Sequence, residues 1–565
     1  MDTVHGGITG TSLVVGITGH RNLRDSEIPE IREKVRHFFL ELRQRYPALP
    51  ITLLSSLAAG SDQVVAQVAF DMGIRVIAPL PVSPELYRDD FEQAHEAELF
   101  ERQLACAETL QLTLLPGSDP TSVIQPGIER NMQYAQAGIF TSSHCHILLA
   151  LWDGRESSFL GGTAQVVSFH LHGDMPGPIE RRRAALGTLG LDEETLVYHI
   201  PVNRQNAADV ETGLGRWLTS DQGYIYHDTI PPGFDQMLRR HAEFNNDWLQ
   251  YSKTIEADTA DSAGKDECPI HRLFRVADWL AATYQHRVSR ILMITYLLTA
   301  LMGFAFIFYS DVAAQDVMIY LFLLFFLAGI GVNSIAGRRE WHRKYIDYRA
   351  LAEGLRVQSF WRRAGVADSS RPSFEHDNFL QKQDVQLGWI RNIMRAASLD
   401  GMLSPVNAGI QELEAVVEEW IGTADSPGQL SYYAETSLKR TRTHRRNELL
   451  AASCLWLGIS ISVVLAIFAR GLQGNLQNLM VATMGVLSVA AAVHEAYAYK
   501  KADKELIKQY RFMLRIFTAA SRRLSTCHDF DEKRQILHTL GEAALAEHAE
   551  WTLMHRERPL EQSKL

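Results

Sequence analysis

The sequence predicts an α/β head built on a parallel sheet, followed by an all-α membrane region of four transmembrane helices with cytoplasmic helices. Three observations predict it. Short β-type runs alternate with helical stretches over the first 200 residues, the pattern of a parallel sheet covered on both faces. Four apolar runs after residue 290 carry no Asp, Glu, Lys or Arg, and a spanning helix needs roughly 20 such residues. Basic residues crowd one end of every run, which sets an orientation across a bilayer.

At 565 residues the chain exceeds a single core, so two or three domains are expected. The head is expected over 1–240. Its strands are predicted at Leu13–Thr18, Ile51–Ser55, Arg75–Leu80, Leu110–Leu115, His146–Trp152 and Leu196–Ile200. Its helices are predicted at Ile28–Tyr46, Asp62–Met72, Pro84–Ala107, Ile128–Thr141 and Thr163–Leu171. A linker is expected over 241–270, because Ile255–Cys268 is acidic and rich in small residues. A first two-span module with cytoplasmic helices takes 271–425, and a second takes 426–565. Pro, Ser and Gly clusters at Val366–Asp377 and Gly422–Ser437 predict loops between them.

The predicted spans are Ile291–Tyr309, Val317–Ala336, Leu449–Ala469 and Leu479–Val493; the last reaches full length only with Asn478 and His494–Ala498. Buried helices of a soluble core are the alternative. Arg287 and Arg290 precede the first span, and Arg338, Arg339, Arg343 and Lys344 follow the second. Lys439 to Arg446 and Lys500 to Lys508 flank the second pair in the same way, while the short turns hold only Arg470. The positive-inside rule therefore places both termini and the middle segment in the cytoplasm, at an inner membrane. The start of the sequence is polar and Gly-rich, so no cleaved signal peptide is expected. The two halves read as a diverged repeat of hairpin plus amphipathic helix, with Glu340 matching Glu495, Leu351 matching Leu506 and Arg356 matching Arg511. Small and hydroxyl residues in the second hairpin predict close helix contacts. Either a pore or a plain anchor fits that composition.

The net charge of −10 disfavours a nucleic-acid partner. Five scattered cysteines without CxxC spacing predict neither a disulfide framework nor a metal site. The candidate ligand site lies in the loops at the carboxyl ends of strands, where open α/β sheets bind. The first strand ends in Gly19-His20-Arg21, the second leads through Ser56 to Gly60-Ser61-Asp62, and the fifth ends at Asp153 and leads to Gly161-Gly162-Thr163. Glycines permit close backbone approach, Arg21 offers a donor fork, and helix starts favour an anion. Asp62 is read either as a ligand contact or as a helix cap. Valine at Gly162 is expected to block the approach of a phosphate, and Arg130 is expected at the solvated surface.

The motifs VVGITGHR, SSLAAGSDQVVA and LALWDG leading to GGT resemble the SLOG (Smf/DprA–LOG) superfamily of Rossmann-like nucleotide-sensing domains. The membrane half resembles SLATT two-span effectors, with Ala549-Glu550-Trp551 and His555 to Pro559 similar to the end of that module. The resemblance implies a nucleotide-derived ligand, no certain cofactor, and a homo-oligomeric membrane effector in antiphage defence. It also implies phosphate binding by Gly161, Gly162 and Thr163. The glutamate that the LOG hydrolases use after their glycine motif has no counterpart after Thr163. A membrane-anchored nucleotide hydrolase or N-glycosidase is the alternative.

Overall fold

The computed structural model describes residues 10–556, apart from 116–117, 120, 158, 174–194, 206, 221–223, 260–267, 367–378, 381–384, 405–408, 424–425, 469–473 and 502. Most of the predicted loop at 366–377, residues 260–267 of the linker, the turn at Arg470 and part of the final HRERP segment thus lie outside the described residues. The chain forms two compact units: Met1–Val276 with Leu351–Ala408, and Ala277–Ala350 with Gly409–Leu565.

The first unit is built on eight strands: β1 Leu13–Gly19, β2 Ile51–Leu54, β3 Arg75–Leu80, β4 Glu108–Gln111, β5 Ile147–Trp152, β6 Val197–Pro201, β7 Arg216–Ser220 and β8 Tyr224–His227. Their spatial order is β4-β3-β2-β1-β5-β6-β7-β8. The pairs from β4 to β6 are parallel, and β7 and β8 add antiparallel pairs at one edge. Alternate residues of the strands feed two cores, because strand side chains alternate faces. Val15, Leu53, Val76 and Leu149 pack with α1 (Ile28–Arg45) and α2 (Ser61–Asp71). Val14, Leu54, Ile77 and Leu148 pack with α5 (Ile128–His144) and α6 (Thr163–His172). Near-continuous apolar strands follow from burial on both faces.

Two departures from the sequence reading concern this sheet. The helix expected over Pro84–Ala107 is two, α3 Pro84–Arg88 and α4 Ala94–Leu104. The chain between them turns so that Asp90 reaches Arg130 on α5. The fourth strand lies earlier than expected, because Leu112–Leu115 is a loop held by Gln133, which accepts from the Leu115 N–H and donates to the Thr113 carbonyl.

The amino edge of the sheet is closed. Helix α7 (Pro232–Thr259) begins before the segment read as a linker and carries Asn245, which donates to the Thr11 and Ala48 carbonyls. Helix α11 (Gly388–Leu403) packs there too. The buried His146 accepts from the Val14 N–H and donates to the Asn392 carbonyl at 2.8 Å. Arg75 at the start of β3 pairs with Asp400 at 2.6 Å. The segment 271–425, read as one module in the sequence, is therefore divided between the two units.

The second unit holds the spans. Four helices are long and apolar enough to cross a membrane: Pro269–Val312, Asp316–Arg338, Gln429–Phe468 and Gly474–Thr526. We call the regular helices in this part of the chain α8 (Pro269–Ile307), α9 (Asp316–Arg338), α10 (Trp341–Arg363), α12 (Ile410–Trp420), α13 (Gln429–Phe468), α14 (Gly474–Lys501), α15 (Asp503–Thr526) and α16 (Phe530–Arg556). Their apolar side chains are largely uncovered: Leu324, Leu327, Trp456, Val463 and Ile467 are all exposed. Helices of a soluble core would bury such residues, so the exposure points to a membrane protein. The first and fourth spans pack antiparallel. Tyr296 donates to the Ala496 carbonyl at 3.0 Å, a Cβ on Gly303 would lie 2.7 Å from Val489, and one on Gly485 would lie 3.2 Å from Ile307. Small residues permit this approach. Helices α10, α15 and α16 share an aromatic contact, Trp551 standing edge-on to Tyr345 beside Leu506 and Ile346.

Candidate functional site

The strand order reverses between β1 and β5, the place where open α/β sheets bind their ligands. All three loops singled out in the sequence lie on the carboxyl edge of the sheet. They divide into an internal lock and an open side.

The lock joins β1, β5 and the loop after β6. His20 accepts from the Asp153 N–H at 3.1 Å, and its Nε2 also lies 3.1 Å from the Asp153 carboxylate. The other Asp153 oxygen receives both Nε and Nη2 of Arg204, at 2.9 and 2.8 Å, and the Arg155 N–H adds a third donor. Burial alone would raise the Asp153 carboxyl; the Arg155 N–H, His20 and Arg204 outweigh it and hold the group below its ordinary value. Burial lowers His20 despite the adjacent carboxylate. The loop after β6 is strapped onto the first loop: Gln205 donates to the Asn22 and Leu23 carbonyls, and Arg24 pairs with Asp209. His20 and Asp153 thus spend their polar groups on one another and on Arg204.

The open side lies between the β1 and β2 loops and helices α3 and α5. Gly60 adopts φ +78°, and a Cβ there would collide with the Arg21 carbonyl, so glycine is required for the loops to close together. Ser61 completes that closure: its N–H and its hydroxyl both donate to the His20 carbonyl, at 3.1 and 2.7 Å. A side chain on Gly19 would strike Ser61. Asp62 is buried in the first turn of α2 and staples its own loop, accepting from the Ser55 hydroxyl and from the N–H groups of Ala58 and Ser56. Burial pushes its pKa up to about 7, against the opposing effect of Arg21.

The Arg21 side chain is exposed and makes no hydrogen bond or ion pair among the described residues. Its guanidinium lies 5.5 Å from the ring centre of Tyr134 on α5. That ring is fixed from behind. Arg130 donates to the Tyr134 hydroxyl at 3.0 Å and pairs with Asp90 at 2.7 Å, while Tyr134 bonds Asp90. Arg130 is buried, contrary to the solvated position expected for it, because three carbonyls (Leu86, Val123 and Ile124) and Asp90 satisfy its donor fork. Its spacing of four from Tyr134 on one helix was the available signal. Asp90 and Arg204 had none, since their loops meet the site only in the fold.

The glycine turn before α6 meets the same wall. Gly161 adopts φ +74° and lies so close to α5 that a Cβ would stand 2.9 Å from the Ala135 nitrogen. Gly162 has φ −72°, which any residue adopts, so the constrained glycine is Gly161 and not Gly162. Thr163 opens α6, whose N-terminus, like that of α2, has no side-chain cap. A separate cleft of about 1040 Å³ lies beyond α3, lined by Val82, Leu86, Phe100, Leu104, Leu112 and Ile124. It contains none of the residues singled out in the sequence. No cluster of His, Cys, Asp and Glu suited to a metal occurs among the described residues. No protein-family model matches the chain, and no curated protein matches it.

Proposed function

We propose that the head is a Rossmann-like, SLOG-related sensor of a nucleotide-derived ligand, and that the spans are its membrane effector. In this reading both termini are cytoplasmic at the inner membrane, the chain works as a homo-oligomer, and ligand binding makes the SLATT-like region permeabilise the bilayer in antiphage defence. One observation carries the ligand reading: Arg21, exposed and without an ion pair among the described residues, stands over Tyr134 at the reversal of strand order. A phosphate supplies the missing partner, and the start of α6, which has no side-chain cap, adds N–H donors and a positive dipole end.

The alternative is a membrane-anchored nucleotide hydrolase or N-glycosidase. It is favoured by Asp62, a buried carboxyl at this site with its pKa pushed up to about 7, the range of a general acid or base. Incubating the full-length protein with nucleotides, ADP-ribose derivatives and cyclic dinucleotides separates the two. Tight binding without product supports the sensor, turnover supports the hydrolase, and no binding at all removes both.

A further inference from the structure

The basic flanks of the spans do more than bias orientation. In the head, several exposed arginines meet carboxylates: Arg36 pairs with Glu33, Arg45 with Asp235, Arg88 with Glu101 and Arg216 with Asp228; Arg21, Arg32 and Arg102 are scattered exceptions. Beside the spans such arginines come in a group. Arg290, Arg338, Arg339, Arg442, Arg445 and Arg446 are all exposed, and none makes an ion pair or hydrogen bond among the described residues. The carboxylates nearby are engaged elsewhere, Glu340 by Arg343 and Glu448 by Lys504 and His444. Glu495 is also unpaired among the described residues.

These guanidinium groups gather at one end of the helices. Arg287 lies over Trp341 at 5.6 Å and Phe306 against Phe322 at 6.0 Å, so α8 runs antiparallel to α9 and α10. That register brings Arg290 level with Arg338 and Arg339. The Tyr296 bond to Ala496 and the Glu448 pair with Lys504 bring the arginines of α13 to the same end. Tyr284, Trp341, Tyr296 and Tyr497 supply aromatic rings there, with Lys344 and Arg287 over Tyr284. At the far end, the turn of the first hairpin carries Asp311 and Asp316, and the sequence between the last two spans holds Arg470.

We infer that this collar is a binding surface for the phosphates of anionic phospholipids, and this rests on the membrane reading above. Like charges set level without counter-ions repel, and a guanidinium fork matches two phosphate oxygens. Clustered arginines beside a span and an aromatic belt match the headgroup layer of an anionic leaflet. Each basic residue there contributes about fivefold in partition, so three contribute about a hundredfold.

The test reconstitutes the full-length protein in bilayers holding equal parts of phosphatidylcholine and phosphatidylglycerol, extracts it, and measures the lipids it retains. Phosphatidylglycerol should be enriched in the wild type. The triple variant Arg290→Gln, Arg338→Gln, Arg339→Gln should lose that preference by about a hundredfold, while the triple Lys variant, which keeps the charge, should retain most of it. Inorganic phosphate should not displace the lipid. Equal retention of both lipids by the wild type, or displacement by free phosphate, would overturn the inference while leaving the membrane reading intact. A protein that enters neither bilayer would overturn both. If the Gln variant fails to fold, the wild-type lipid ratio still decides.

Discussion

Replacing Arg21 by alanine separates a ligand contact from a structural side chain. Besides its charge effect on Asp62 and Asp90, its guanidinium has one described contact, the face of Tyr134, 5.5 Å away, at an exposed position. A cation–π contact of that kind contributes about 0.5–1 kcal/mol, so Arg21→Ala should lower the stability of the head by about that much. Tyr134 stays in place through Arg130 and Asp90, so the wall of the site survives the change. A lost charge-assisted hydrogen bond to a phosphate costs about 1.5–3 kcal/mol, which is roughly 10- to 150-fold in affinity. The two effects therefore differ in size and in readout. Calorimetric titration with the best-binding nucleotide, beside a thermal melt of the same sample, measures both. Arg21→Lys should fall between wild type and alanine, because lysine keeps the charge and loses the fork. Undiminished affinity in Arg21→Ala with an undiminished melt would refute the claim that this loop holds the ligand.

Asp62 predicts a pH dependence of opposite sense to that of a paired carboxylate. Its folded pKa is raised, to about 7 from 3.8, so protonation favours the folded state. The stabilising contribution is full below the unfolded value and is lost as pH rises through the folded one. The head should melt lower at about pH 8 than at about pH 5, and Asp62→Asn should flatten that profile. Gly60→Ala should destabilise the head by about 2 kcal/mol or more, since an L-residue at φ +78° is strained and its Cβ meets the Arg21 carbonyl; Gly162→Ala, at φ −72°, should cost less. Denaturant titration ranks the two. Cysteines at Gly303 and Val489 should cross-link within one chain if the first and fourth spans pack as described. Impermeant thiol reagents should label a cysteine at Ala314 from outside and fail to label one at Ser370. Outside labelling at Ser370 would refute the four-span topology.

Much of the head was legible in the sequence. Five short runs rich in Val, Ile and Leu became buried parallel strands, because burial on both faces demands continuous apolar residues; the fourth predicted strand, Leu110–Leu115, lies instead at Glu108–Gln111, a mostly exposed edge strand. Strands β7 and β8 were missed: RWLTS and YIYH are short, and their antiparallel pairing at an edge leaves little periodicity to read. Leu112–Leu115 was apolar enough to pass for a strand, although Gln133 ties it down as a loop. The spans were readable because a charge-free run of that length has few alternative fates.

The sequence by itself determined the alternation of strands and helices, the four apolar helices, and the placing of Gly19 to Arg21, Ser56 to Asp62 and Asp153 to Thr163 at strand ends. Each depends on local composition or on spacing within one element. Only the tertiary structure decided that His20 and Asp153 lock onto Arg204, that Asp62 turns back on its own loop, and that Arg21 is left over Tyr134. It also decided that Gly161 and not Gly162 carries the constraint, and that Leu351–Ala408 packs with the sheet. The reason is that a side chain's partners come from segments distant in the chain, and a polar group's role depends on which of them reaches it first.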